Sequence, residues 1–445
     1  MRWALGVGGL VAVAAVLRSL GPDGSLEGRA TLALGFLLLA AQLAAELAAR
    51  ARLPRLTGAL LAGVVVGPPW LALVRGDEVG ALAFLADAAL ALLALSAGAR
   101  LSLPALRGER GLARLGAATI LGAFAVVAAV VWSVTPWLPP TRHKSLGDGL
   151  AFALVLGGVA AAAAPAVVGA LLDELGRHGS TERRLVALST AHALAAVTLF
   201  GLVLALARPI ASRGAIDPGV AAATLSRLAG SLGLGAALGL VVARAAGHVG
   251  RPAWVPVVLA LITAEASRVL GLEPTVVALA TGCALGSTVG DRAWGDALAP
   301  IAGVAALAYF ALTGAALDLA ALSEIWPWVI LFAGVRVVGL RAGARWAGRR
   351  PVVTGELARL GWLGVISQGG VALGLAGAAR QAFPEWGVSF EALIVALVAV
   401  NLAAGPIVLR RVLAGSVSTT EDHDGVEHRD ASGGVAVAAG PRRGV

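Results

Sequence analysis

Runs of eighteen or more residues with almost no charge recur from one end of this chain to the other, and this limits what it can fold into. At 1.5 Å per residue, such a run makes a helix spanning about 30 Å, the thickness of a bilayer's hydrocarbon core. The runs fall at roughly 3–20, 29–50, 53–74, 80–99, 111–134, 146–174, 184–208, 219–246, 252–270, 274–290, 296–319, 325–347, 353–380 and 387–413. Barrel strands would alternate apolar and polar residues over about ten positions, a pattern these Ala/Leu/Val/Gly runs lack. The fold class is therefore an all-α polytopic membrane protein with about 13–14 transmembrane helices. Composition agrees, since 58% of the residues are hydrophobic and 14% charged, far from the balance a soluble surface needs.

The formal charge of +9 raises nucleic acid as a partner, but the cations sit in short loops between apolar runs and form no basic face interleaved with aromatics. The partner they indicate is the lipid bilayer. Arg50, Arg52 and Arg55, then Arg100, Arg107, Arg110 and Arg114, then Arg177, Arg183 and Arg184, then Arg244 and Arg251, then Arg345, Arg349 and Arg350, then Arg410 and Arg411 occupy one set of alternate loops. Basic loops stay inside, so the carboxyl end is expected in the cytoplasm of a multi-pass protein of the cell membrane. Cys283 is the only cysteine, which rules out a disulfide framework and a cysteine metal site. No cofactor or metal is expected.

Three parts are delimited: an extra span or signal-like segment at 1–28, a transmembrane domain at 29–413, and a polar, Gly-rich tail at 414–445 expected to be disordered and cytoplasmic. Tryptophans near span ends, among them Trp70, Trp137, Trp254, Trp294, Trp326 and Trp386, fit an interfacial belt.

Two spans carry breaks. AFALVLGGVAAAAAPAVVGALLDELG places Pro165 near its middle, and LGWLGVISQGGVALGLAGAA places Ser367, Gln368, Gly369 and Gly370 in the middle of another. Breaks free backbone groups that lipid cannot satisfy, and inverted-repeat transporters use two such helices to build a site at the midplane. Kinked packing helices with small-residue contacts would read the same way. Ionisable residues deep in spans are costly, and two stand out. Arg336 lies mid-span, and His192 lies beside Ser189 and Thr190 in a span without any carboxylate. His192 reads either as a satisfied core residue or as a proton carrier. Asp87, Glu46 and Glu265 lie nearer span ends and read as structural.

The order of segments resembles the monovalent cation:proton antiporter superfamily, the sodium/proton exchanger fold. The resemblance rests on LPRLTGALLAGVVVGPPWL at 53–71, LADAALALLALSAGARLSL at 85–103 and ALVLGGVAAAAAPAVVGALLDELG at 153–176. It continues through YFALTGAALDLAAL at 309–322, LGWLGVISQGGVALGLA at 360–376 and NLAAGPIVLRRVL at 401–413. It implies inverted repeats with two crossed broken helices, one unit for homodimerisation, a second that moves, and aspartates that bind a small ion or a proton.

The chain departs from the family where that site belongs. Alanine stands around Ala163 and Ala164 in place of the family's threonine or serine, and the family's adjacent Asn-Asp or Asp-Asp pair aligns with His192 and Ala193. Arg184 to Ala207 contains no acid, while Arg336 matches the family's basic residue three positions before a glycine, here Gly339. A site that keeps its cation and loses its anions disfavours ordinary cation exchange. The expectation is solute:proton antiport by alternating access with an altered ion site, at which His192, Ser189, Thr190, Arg336, Gln368 and Ser367 bind the solute or proton and Pro165, Gly369 and Gly370 shape the helix breaks. An anion or neutral-solute carrier using Arg336, and a transport-inactive protein retaining the fold, stay open. An enzyme is not expected, since HExxH, GxSxG and paired intramembrane carboxylates are absent.

Overall fold

In the computed structural model, the described residues are 25–430 apart from 69, 100, 102–108, 178, 213–217, 250–253, 290, 318 and 354. The expected span at 3–20 and the tail beyond Asp430 lie outside them. Among the described residues, every regular element is a helix. In chain order they are α1 (Leu26–Arg50), α2 (Arg55–Val66), α3 (Gly76–Ala81), α4 (Ala83–Ala99), α5 (Arg110–Val134), α6 (Leu146–Ala160), α7 (Pro165–Glu174) and α8 (Ser180–Ser212). There follow α9 (Pro218–Val249), α10 (Trp254–Val269), α11 (Pro274–Val289), α12 (Asp291–Ala315), α13 (Leu319–Ala347), α14 (Gly355–Leu360), a 3-10 turn at Leu363–Val365, α15 (Gly370–Ala382) and α16 (Gly387–Asp430).

Seven helices are long and apolar enough to cross a membrane, and an eighth span is the bent pair of α14 with its 3-10 turn and α15. Four shorter apolar helices lie among them, α2, α4, α11 and the Ile301–Ala315 part of α12. The short ones have identifiable stops. Gly67 and Pro68 end α2, after which the chain doubles back so that the Leu71 and Val74 amides donate to the Val65 and Val66 carbonyls. At the other extreme, α16 runs past Leu413 to Asp430, so 414–430 is helical where the sequence suggested disorder. Extending an existing helix avoids the costly nucleation step.

Packing follows an internal two-fold. α2 lies on α12 as α4 lies on α11, α1 on α2 as α10 on α11, and α1 on α12 as α10 on α4, while α4 packs on α12 and α5 on α13. These pairs match if α1, α2, α4 and α5 correspond to α10, α11, α12 and α13. Counting the α6–α7 pair as one and passing over the short α3, each member lies an odd number of positions from its equivalent in the helix order, so the second repeat is inverted relative to the first. One unit gathers α1, α2, α4 and α10–α12; the other gathers α5–α8 and α13–α16; α9 links them, packed on α8 and α11.

Close approach within the first unit relies on glycine. A β-carbon at Gly98 would strike the Leu279 carbonyl oxygen, and one at Gly282 the Leu95 carbonyl; Gly63 and Gly314 stand in the same relation to Ala311 and Leu60 across the equivalent helix pair. The tryptophans divide. Trp70, Trp137, Trp254 and Trp326 are exposed as a belt requires, but Trp294 and Trp386 are buried. Trp386 stacks on Phe383 at 4.2 Å and meets Phe152 and Phe390 edge-on, burying its apolar rings in a core cluster.

Candidate functional site

The two broken spans cross at their breaks. Ala160 to Ala164 is a run of good helix formers, yet the helix unwinds there, because Pro165 disfavours the helical conformation of the preceding residue and has no amide hydrogen to continue the ladder. Pro165 then starts α7 at the position proline tolerates best. In the second span, α14 and its 3-10 turn meet α15 at a bend of 52°. The Ala164 amide donates to the Ser367 carbonyl at 2.9 Å, and a β-carbon at Gly369 would lie 3.2 Å from that of Ala164. A side chain at 369 would therefore press on Ala164 at the crossing.

The carbonyls freed by the breaks are taken up by side chains from other helices. Arg336 on α13 donates from Nε to Ala160 O at 2.8 Å, from Nη2 to Ala162 O and Val365 O at 2.7 Å each, and from Nη1 to Ile366 O at 2.6 Å. His192 on α8 binds the carbonyl between the first two, its Nδ1 lying 2.9 Å from Ala161 O. Gln368 donates to Val159 O at 3.0 Å and accepts from Asn401 Nδ2 at 2.7 Å. Carbonyls 159 to 162, the negative end of α6, are therefore capped in succession by Gln368, Arg336, His192 and Arg336 again. The Arg336 guanidinium also neutralises the negative end of the 3-10 turn, so one cation serves both half-helices that end at the crossing. Arg336 and His192 are 2% and 0% exposed, which leaves these hydrogen bonds to replace hydration.

Hydrogen bonding fixes half of the His192 ring. A carbonyl only accepts, so Nδ1 carries a proton. Nε2 lies 2.8 Å from Thr119 Oγ1, itself 2.8 Å from Leu115 O. The hydroxyl can donate to a neutral ring, or turn to Leu115 and accept from a doubly protonated one.

Sequence-expected residues thus divide. Arg336, His192, Gln368, Gly369, Pro165 and the Ser367 backbone converge on the crossing, with the Ser367 side chain turned against Gly405 of α16. Gly370 opens α15 and faces Leu90 and Thr275. Ser189 is fully buried, its hydroxyl without a hydrogen-bond partner among the described residues, and Thr190 merely bonds the Val186 carbonyl of its own helix. Thr119 and Asn401 were not anticipated from the sequence, since small polar residues in apolar spans most often bond their own helix.

The two units also meet away from the crossing. Glu174 at the end of α7 accepts from the Arg55 amide at 2.8 and 3.0 Å, capping α2, while Arg410 on α16 donates to Leu53 O at 2.6 Å and to Glu174 at 3.2 Å. This cluster ties the second unit to the first at the face of the basic loops. Near the opposite face, a cavity of about 550 Å³ opens between α4, α11, α12 and α15 and reaches Tyr309 and Gly370 beside the crossing.

A sequence profile described as sodium/hydrogen exchanger, transmembrane, matches residues 34–414. The chain belongs to the sodium/hydrogen exchanger family. Among solved structures, this exchanger is similar to the sodium proton antiporter MjNhaP1 from Methanocaldococcus jannaschii at pH 8, with a TM-score of 0.64 and 17% identity over 88% of this chain and 98% of that one. That likeness supports the fold: a polytopic helical bundle with inverted repeats and two crossed broken helices. No curated protein matches the chain.

Proposed function

We propose that this protein is a secondary active transporter that exchanges a monovalent cation for protons by alternating access, with an ion site altered at the helix crossing. The observation that carries the reading is the capping of carbonyls 159–162, 365 and 366 by Arg336, His192 and Gln368. Groups so engaged make the crossing a rigid scaffold that moves as one body, and they leave little to offer a solute. Arg336 commits four of its five N–H donors to carbonyls, which argues against the alternative in which it binds an anionic or neutral solute.

Asymmetry between the half-helices supports the alternating-access part. α7 packs along α4 and α12, whereas its repeat-mate α15 meets the first unit at α11, beside the open cavity. The Glu174 and Arg410 cluster bridges the units at one face while the cavity beside α15 lies towards the other, and exchanging the two arrangements would give the opposite state of an alternating-access cycle. Proteoliposome assays of sodium-, potassium- and lithium-driven proton flux test the reading. Flux indistinguishable from that of protein-free vesicles with all three ions would overturn it.

We also infer a homodimer in the cell membrane with its carboxyl end in the cytoplasm, a reading supported by the alternation of basic loops and by the family. In a Cys283→Ala background, single cysteines in the loops around Arg110, Arg184 and Arg350 are expected to resist an impermeant thiol reagent added outside intact cells. Their ready labelling would reverse the orientation.

Releasing the bridge between the units should favour the other state. Arg410→Ala removes the bonds to Leu53 and Glu174, and a cysteine at Ala170, which lines a cavity of about 540 Å³ beside Glu174, is then expected to react several-fold faster with a permeant maleimide. An unchanged rate would show that the cluster does not restrain the units.

A further inference from the structure

The negative charge missing from the crossing is present nearby. Glu273, in the connection between α10 and α11, lies with its carboxylate against α15: a β-carbon at Gly374 would be 2.9 Å from Oε2 and 3.4 Å from Oε1. Gly374 sits in the first turns of α15, whose amino end carries the positive partial charge of the helix and no acidic residue of its own. Glu273 belongs to the first unit and approaches that charge from outside. Its amide donates to Ser231 Oγ at 3.1 Å, which fixes the backbone of the connection.

Glu273 and Asp87 both line the cavity of about 550 Å³, together with Thr275, Thr313 and Tyr309. Asp87 is exposed at its mouth. Tyr309 is 4% exposed, and its hydroxyl, beside Gly369 and lining the cavity, meets the Thr313 side chain but makes no hydrogen bond of ordinary geometry among the described residues. A buried hydroxyl without a partner is costly, and a ligand in the cavity would satisfy it. Remaining walls are aliphatic, among them Leu90, Leu312 and Val398. On the side away from the crossing, Glu273 also borders a second cavity lined by Arg208 and Arg227.

We infer that this cavity is the cation site of the exchanger, with Glu273 and Asp87 supplying the negative charge and Tyr309 an oxygen ligand for a monovalent cation. The inference rests on the transport reading above and names the residues that serve it. Exchange balances at the carboxyl group: the acid form of Glu273 releases its proton to cavity water as the cation arrives, and the carboxylate regains one when the cation leaves. Because Glu273, Asp87 and Tyr309 belong to the first unit while α15 walls the cavity from the second, movement of the second unit covers and uncovers the site.

The test is the thermal unfolding midpoint of the detergent-purified full chain in lithium, sodium or potassium chloride against N-methylglucamine chloride at equal ionic strength. Wild type is expected to be stabilised by at least one of the three cations. Glu273→Gln, close in shape, should need about tenfold more cation for the same shift, and Tyr309→Phe should weaken it while keeping the N-methylglucamine midpoint. Equal cation responses in wild type, Tyr309→Phe and the Glu273→Gln/Asp87→Asn double variant would overturn the site, as would a wild type that responds to none of the three. Proton flux separates the two readings. Cation-driven flux unchanged by Glu273→Gln removes this site and keeps the transporter, whereas Glu273-dependent binding without flux keeps the site and removes the transporter.

Discussion

Arg336→Ala is expected to leave a protein that unfolds far below the wild-type temperature or fails to accumulate in the membrane. The substitution deletes all four guanidinium hydrogen bonds and strands the carbonyls of Ala160, Ala162, Val365 and Ile366 in a buried crossing. Each buried acceptor left without a partner costs about 1–3 kcal/mol, so four sum to about 4 kcal/mol even at the lower limit. That is a large share of the stability of an ordinary domain. Arg336→Lys should fall between, because an ammonium donates from a single point and cannot fork between two helix breaks. Arg341, on the same helix but exposed, is the control, and its alanine variant is expected within about 0.5 kcal/mol of wild type. Midpoints measured in one detergent decide the matter. An Arg336→Ala protein as stable as Arg341→Ala would mean that water, not the guanidinium, satisfies the crossing.

The architecture was legible in the sequence because the bilayer imposes it locally. Apolar runs had to be helices, Pro165 and the Ser367–Gly370 stretch marked either breaks or kinks, and the segment order resembled a known antiporter superfamily. Arg336 could be singled out for the same reason, since a mid-span cation is costly wherever it lies. What the sequence hid were the partners. Nothing in positions 159–162 announces that side chains from elsewhere in the fold will cap them, because backbone carbonyls carry no sequence signal. Thr119 and Asn401 looked like ordinary small polar residues. Glu273 escaped notice by lying between two apolar runs, where an acid reads as a loop residue; only the fold brings it against Gly374. Asp87 was read as structural for the same reason, its cavity being formed by helices remote in sequence.

Gly282→Leu is expected to disrupt the first unit, and even Gly282→Ala should cost about 1–3 kcal/mol, the usual range for overpacking. The reason is that the β-carbon would strike a backbone atom. At Gly282 the obstacle is the Leu95 carbonyl, with the Ala99 amide close behind, and neither can rotate away as a side chain would. α4 and α11 would have to separate along their length. The same helices carry Asp87 and Thr275 into the cavity, so the change should also weaken the cation response assigned to that cavity. Repeat symmetry sharpens the prediction, because Gly314 faces the Leu60 carbonyl across α2 and α12 and its alanine variant should lose a similar amount. Gly35 and Gly334 lie inside helices where an added β-carbon would meet nothing within 4 Å, so alanine there should stabilise, by about 0.5–1 kcal/mol from helix propensity. Opposite signs for the two classes in a thermal-unfolding series are the expected result. Destabilisation at Gly35 and Gly334 equal to that at Gly282 and Gly314 would show that backbone contact between the repeats is not what selects glycine here.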